Sequence, residues 1–271
     1  MPRRVCAGAA VALALLAGCD VSEDEEVALG RQAADEIAAQ VPLVRDPALV
    51  AYLDGLGRAL AAQTPRAGLE WHFAIVDSDQ VNAFALPGGF VYVNRGLIAH
   101  AEDLSELAGV VGHEIGHVAL RHSADQMESQ QRTSAGVGIV CALTGWCESG
   151  AAQVAIQVAG QAWFARHSRE DEREADSVAV ETLARTGYAP SGVPEMFGRL
   201  LAERQRAPLG VEQWFASHPL EEERIVATRA HVARLDPAAL EGLVEDDAAF
   251  QAFKARLAAL PPPPQPPQQP R

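Results

Sequence analysis

The chain has 271 residues, 48 % of them hydrophobic, which is enough to bury one substantial core and argues for a single domain with appendages. A formal net charge of −14 and a pI near 5.0 exclude a nucleic-acid surface, because a body of that sign repels phosphates. An aromatic content of 6 % with abundant alanine favours helices over a β-sandwich.

Met1-Pro2-Arg3-Arg4 is a short basic stretch followed by an apolar run from Val5 to Ala17, too short for a membrane span and of the length of a secretory signal. It ends in Leu15-Leu16-Ala17-Gly18-Cys19, which resembles a bacterial lipobox. That resemblance implies that residues 1–18 are removed and that Cys19 carries the acyl chains, the other reading being an uncleaved apolar segment with an incidental cysteine. The body is then expected to be tethered to a membrane without spanning it, on the periplasmic side of a bacterial cell envelope. Asp20 leaves inner and outer membrane undecided. Residues 19–26 form an acidic tether in which Glu23-Asp24-Glu25-Glu26 is either a solvated spacer or the charged first turn of a helix.

A domain from 27 to 235 follows. Apolar spacing predicts a helix over 27–40, ended by Pro42, and a second over 47–63 with Asp46 as N-cap and Pro47 at its first position. Trp71–Val76 alternates and is rich in β-formers, so it reads as a strand, with His72 on its polar face as an exposed residue and not a ligand. From Asn82 to Val93 two short strands flank Pro87-Gly88-Gly89, a hairpin. Pro87 cannot donate a ladder hydrogen bond, which places this part at a sheet edge. The backbone of Asn82, Ala83, Phe84, Ala85 and Leu86 is then available to pair with an extended peptide, or the hairpin simply completes the core sheet.

Between Asp103 and His122 an apolar helical run carries His113-Glu114-Ile115-Gly116-His117. At 3.6 residues per turn the two imidazoles share a face and can hold one metal ion, zinc first among candidates. Glu114 lies about 100° around from His113, in reach of a water on that ion, the position of a general base. All three sit among Leu, Ala, Val and Ile, where unpaired polar groups cost about 1–3 kcal/mol each, and a metal satisfies them together. Arg121-His122 suits the negative end of the helix dipole, an ordinary explanation for His122. From Thr133 to Ala165 the chain turns small and apolar, suited to core packing or to a helical hairpin over the cleft. Cys141 and Cys147 lie within it, six residues apart, and can pair only if the chain turns near Gly145.

Ser168 is the expected N-cap of a helix opening with Arg169-Glu170-Asp171-Glu172-Arg173-Glu174-Ala175-Asp176. Glu172 and Asp176 are four apart and share the face of Ala175, Ala179 and Leu183, whereas Glu174 points nearly opposite. We assign Glu172 as third ligand and Asp176 as acceptor for a ring N–H of His113 or His117, which leaves one open coordination position. Spacing alone also allows Glu170 or Asp176 in place of Glu172.

The His113–His117 motif, the Asn82–Phe90 segment, Ser168-Arg169 with Glu172 and Ala175-Asp176, and Ser217-His218-Pro219 with Arg224 together resemble the metallopeptidase family that includes HtpX, the CAAX prenyl endopeptidases and the periplasmic BepA-type proteases. The likeness runs in matching order from about Glu26 to Ala230. It implies an α+β, predominantly helical gluzincin domain, a small mixed sheet with its edge hairpin above the active-site helix. It also implies one zinc ion per chain on His113, His117 and Glu172, with Glu114 as base. In BepA-type members a histidine at the position of His218 can cap the metal, which makes His218 a fourth ligand or transition-state donor unless it is an ordinary loop histidine. Arg224 is expected to orient that loop or stabilise developing charge.

Unlike HtpX, the chain shows no membrane-spanning run after the signal. Unlike BepA, it has too little sequence after Ala230 for an array of repeats of about 34 residues. A helical extension over 236–260 and a polyproline tail over 261–271 complete the chain, the tail disordered or a docking segment. The expected activity is hydrolysis of unfolded or misassembled envelope proteins. The rival readings are a non-catalytic lipoprotein chaperone or assembly factor on a protease fold and, less well supported, another zinc hydrolase such as an amidase.

Overall fold

A computed structural model of the protein describes residues 21–126, 167–206, 208–219 and 222–264. The signal segment, Cys19, the apolar stretch with Cys141 and Cys147, and the tail beyond Pro264 lie outside the described residues. Among the described residues no helix is long and apolar enough to cross a membrane.

The acidic run near the N-terminus opens α1 (Glu23–Gln40) and is its charged first turn. Ser22 and Glu25 form a reciprocal capping box, and four acidic side chains face the positive helix end. The chain is therefore helical from Glu23, earlier than apolar spacing alone predicts. Glu26 is buried, with Oε1 2.7 Å from Arg66 Nη1 and 3.1 Å from the N–H of Gly88, and Oε2 2.9 Å from Arg121 Nε. One carboxylate thus ties α1 to the hairpin turn and to the end of the metal-motif helix.

Asp46 caps α2 (Pro47–Ala61) by accepting from the N–H groups of Ala48 and Leu49, with Pro47 where its missing N–H costs nothing. The sheet has strand order β1-β3-β2, from β1 (His72–Val76), β2 (Ala83–Leu86) and β3 (Phe90–Asn94). β1 runs parallel to β3 with His72 opposite Phe90, and β2 runs antiparallel to β3 with Ala85 opposite Val91. The sheet is mixed and β2 is an edge. Gly88 and Gly89 take φ of 76° and 97° in the turn, and a Cβ on Gly88 would stand 2.6 Å from Val27 Cα on α1, so the turn excludes side chains twice over.

After the short α3 (Arg95–His100), α4 (Leu104–Ala119) carries the metal motif, and all of its residues are buried. It packs on α2, on the sheet and, most extensively, on α5 (Arg169–Thr186), which Ser168 and Asp171 open with a second capping box and Gly187 closes in the left-handed region. The crossing is close because Gly116 has no side chain: a Cβ there would lie 2.9 Å from both the Cα and the carbonyl oxygen of Ala175. Gly116→Ala is expected to force the helices apart and to lower stability by about 1–3 kcal/mol, read from denaturant unfolding of the metal-free protein. An unchanged unfolding midpoint would contradict the crossing.

Three helices without a reading in the sequence follow: α6 (Gly192–Arg206), α7 (Pro208–Ser217) and α8 (Glu222–Val232). α9 (Ala248–Ala258) lies in the region expected as an extension, yet Phe250, Phe253 and Leu257 enter the main core and Phe253 stacks on Tyr52 with centroids 4.4 Å apart. Arg95, paired with Asp77 at 2.6 Å, donates to the carbonyl of Pro261 at 2.9 Å and so holds the start of the proline segment against the body.

Candidate metal centre

Four side chains from three directions meet beneath β2. His113 and His117 come from adjacent turns of α4, Glu172 from the first turn of α5, and His218 from the residue after α7. All are buried, and one ligand atom of each lies within 4.8 Å of the others. His113 Nε2 is 3.1 Å from His117 Nε2 and 3.6 Å from Glu172 Oε2, and His117 Nε2 is 3.3 Å from Glu172 Oε1. His218 Nδ1 is 3.3 Å from His113 Nε2 and 3.1 Å from Glu172 Oε1. Bonds of 2.0–2.2 Å to a tetrahedral ion put neighbouring ligand atoms about 3.3–3.5 Å apart, so the donor set has the spacing of a four-coordinate site.

Proton positions support the same fit. His113 Nδ1 lies 2.9 Å from Asp176 Oδ1, a close contact somewhat off the hydrogen-bonding line, and this buried nitrogen meets no better acceptor. A lone pair cannot sit that close to a carboxylate, so the proton is on Nδ1 and the inward Nε2 is bare. It faces the carboxylate of Glu172 at 3.6 Å, the same oxygen to which Arg224 Nη1 donates. A bare nitrogen and a carboxylate oxygen directed at one another repel unless a cation lies between them. These residues fit a divalent ion.

The supporting shell is dense. Arg224 donates from Nε and Nη2 to Asp176 at 2.9 and 2.7 Å, from Nη1 to Glu172, and from Nη1 to the carbonyl of Pro219 at 2.9 Å. It thereby joins both carboxylates of α5 to the loop carrying His218, whose ring also stacks on Trp214 at 4.4 Å. Of the carboxylates that spacing left open, Glu170 is 72 % exposed, Asp176 sits behind His113, and Glu172 alone faces both imidazoles. Glu114 is buried beside the cluster, near Ala85 of β2 and with Oε1 3.4 Å from His218 Nε2. Burial pushes its pKa up.

The expected substrate edge divides by side. The Asn82 carbonyl accepts from the N–H of Asn94, so by alternation the backbone groups of Ala83 and Ala85 point away from β3. Ala85 reaches the site, Phe84 stacks on Tyr92 at 4.9 Å towards α1, Leu86 is buried beside them, and Asn82 is buried at the strand entrance. His72 stacks on Phe90 at 4.6 Å, away from the cluster.

Sequence reasoning missed two residues. α4 ends at Ala119, so His122 is no helix-end cation; it is buried, with Nδ1 2.9 Å from His117 Nδ1 and Nε2 3.1 Å from Glu174 Oε2. His167 stacks on His117 at 3.8 Å and donates its backbone N–H to the carbonyl of Ser217 at 3.2 Å. Burial pushes its ring pKa down to about 3. A histidine five residues past the motif and another just before a helix cap carry no spacing signal of their own.

An H-E-x-x-H helix crossed by a second helix with a buried glutamate, under the edge strand of a small mixed sheet, defines an α+β metallopeptidase domain of the zincin kind. Peptidase family M48 matches residues 47–232, and the chain belongs to that family. It is similar to the beta-barrel assembly-enhancing protease of Yersinia pestis, 34 % identical over 227 residues that make up 82 % of this chain and 46 % of that protein. The protein of the same name from Escherichia coli (strain K12) is 29 % identical over 89 % of this chain and 50 % of its own length, and the metalloprotease YcaL of that strain is 30 % identical over 61 % and 64 %. The chain spans about half the length of the beta-barrel assembly-enhancing proteases it matches.

Proposed function

We propose that the protein is a zinc metalloendopeptidase of the bacterial cell envelope that cleaves unfolded or misassembled envelope proteins. The observation that carries the reading is the convergence of His113 Nε2, His117 Nε2 and Glu172 on one buried point with the spacing of a tetrahedral ion. Three nitrogens and a carboxylate suit zinc. The envelope location and substrate class are supported by the printed names of the Yersinia and Escherichia relatives and by the lipobox-like segment at Cys19.

A zinc ion held there supplies Lewis acidity, which polarises a scissile carbonyl and acidifies a water. Glu114 takes the proton of that water and later gives it to the leaving amine. Asp176 acts through His113, holding its ring with Nε2 inward, while Arg224 donates to Asp176 and Glu172 together. Extended substrate pairs with the outward backbone groups of Ala83 and Ala85, which selects unfolded segments because a folded strand already has its partners. His218 would supply a fourth donor to a bound ion and lies beside Glu114, so a substrate oxygen would have to displace it.

His218→Ala is accordingly expected to remove that donor, tightening binding of a small hydroxamate to the zinc-loaded protein by about tenfold or more, measured by calorimetry; unchanged affinity contradicts the cap. The activity itself is tested by digestion of a denatured outer-membrane protein. Cleavage should stop with chelator and return with zinc. Binding of the denatured chain without any cleavage would instead leave a non-catalytic chaperone.

A further inference from the structure

The two motif histidines are not supported alike. Behind His113 stands a carboxylate, Asp176; behind His117 stands another imidazole, His122, and only behind that a carboxylate, Glu174. The chain reaches this arrangement by doubling back after α4. Arg121 adopts φ of 62°, a left-handed conformation unusual for a residue with a side chain, and Glu26 holds its guanidinium at 2.9 Å. The helical turn that follows begins with His122, whose ring meets that of His117 edge-on with centroids 5.0 Å apart.

Two ring nitrogens 2.9 Å apart share one proton, so one donates and the other accepts. Glu174 decides which. Its carboxylate oxygen lies 3.1 Å from His122 Nε2, placed to accept the Nε2–H of that ring. With its Nε2–H directed at Glu174, His122 turns Nδ1 to His117 Nδ1, so the pair is arranged for His117 to donate. The proton of His117 is therefore drawn to the outer side of its ring, and Nε2 is left bare towards Glu172 and His113.

We propose that His122, oriented by Glu174, is the positioning residue that sets the tautomer and ring angle of His117. The inference rests on the zinc reading above. α5 then serves the centre three times in five residues: Glu172 directly, Asp176 through His113, and Glu174 through His122 and His117. An isolated helix wheel hides the third, because Glu174 leaves the helix on the side away from the ligands and reaches its target through the reversed chain.

The test uses zinc alone as probe, with the dissociation constant read by competition against a chromophoric chelator, and long-range proton–nitrogen spectra of the zinc-free protein for the His117 tautomer. His122→Phe keeps an aromatic ring but no acceptor, and is expected to weaken zinc about 10–100-fold. Glu174→Ala, at a side chain 52 % exposed and therefore harmless to folding, should weaken zinc several-fold, whereas Glu174→Gln keeps an acceptor oxygen and should stay within about threefold of the parent. The rescue by Gln separates positioning from packing. His117 should carry its proton on Nδ1 in the parent and in Glu174→Gln, and lose that preference in His122→Phe. Parent zinc affinity in both His122→Phe and Glu174→Ala, or an Nε2–H tautomer of His117 in the parent, would overturn the proposal. Failure of the parent to bind zinc at all would sink the metal reading instead, and the tautomer spectra would still decide the role of His122.

Discussion

Replacing Glu114 with glutamine is expected to leave zinc bound at one ion per chain while cleavage of a denatured protein falls by about 10²–10⁴-fold, the usual contribution of a positioned general base. The separation of the two effects follows from the geometry. Glu114 shares α4 with both motif histidines but is absent from the set of convergent ligand atoms, and its carboxylate lies beside His218 Nε2 at 3.4 Å. Glutamine preserves volume, so the helix and the ligands should not move. Metal content and turnover measured on the same preparation check the claim, and normal cleavage by the variant would refute the assignment of the base.

Glu172→Ala should do the opposite and remove metal and activity together, with zinc affinity lower by more than about 100-fold, a larger effect than changes behind a ligand produce. The fold should survive the change. Arg224 keeps its two bonds to Asp176 at 2.9 and 2.7 Å, and one buried cation is then balanced by one buried anion where the parent buries two. Zinc titration together with denaturant unfolding distinguishes loss of a ligand from loss of structure. A fully metallated variant would move the third ligand elsewhere.

The parts of this arrangement that are legible in the sequence are those set by local periodicity. Two histidines four apart, two carboxylates four apart on an apolar face, an Asp-Pro or Ser helix entry and a Pro-Gly-Gly turn each fix geometry within a few residues, and α2, α4, α5 and the edge position of β2 follow from them. Contacts formed by chain reversal are not legible in that way. Nothing in an acidic run distinguishes Glu26, whose partners Arg66 and Arg121 are remote in sequence, from its exposed neighbours. The turn that brings His122 under His117 depends on a left-handed arginine, a conformation with no residue preference to announce it. His218 stands between these cases: family resemblance singles it out, but only the packing of Trp214, His167 and Arg224 around its loop brings it into the donor cluster.

Ion pairing accounts for how so many charges share a small volume. Two carboxylates of α5 and Arg224 lie together in the interior, which is tolerable only because each carboxylate has the guanidinium on one side and a histidine on the other. Substitutions in this cluster should therefore be coupled, and their effects should not add.

The central claim is that three residues of α4 and α5 converge on a single zinc ion. Zinc K-edge absorption of the loaded protein tests it directly. The expected shell is four nitrogen or oxygen atoms at about 2.0–2.1 Å with outer-shell scattering from imidazoles, and a His113→Ala, His117→Ala double variant should retain no zinc at the site. A sulfur shell near 2.3 Å, or a spectrum unchanged by that double substitution, would contradict the account.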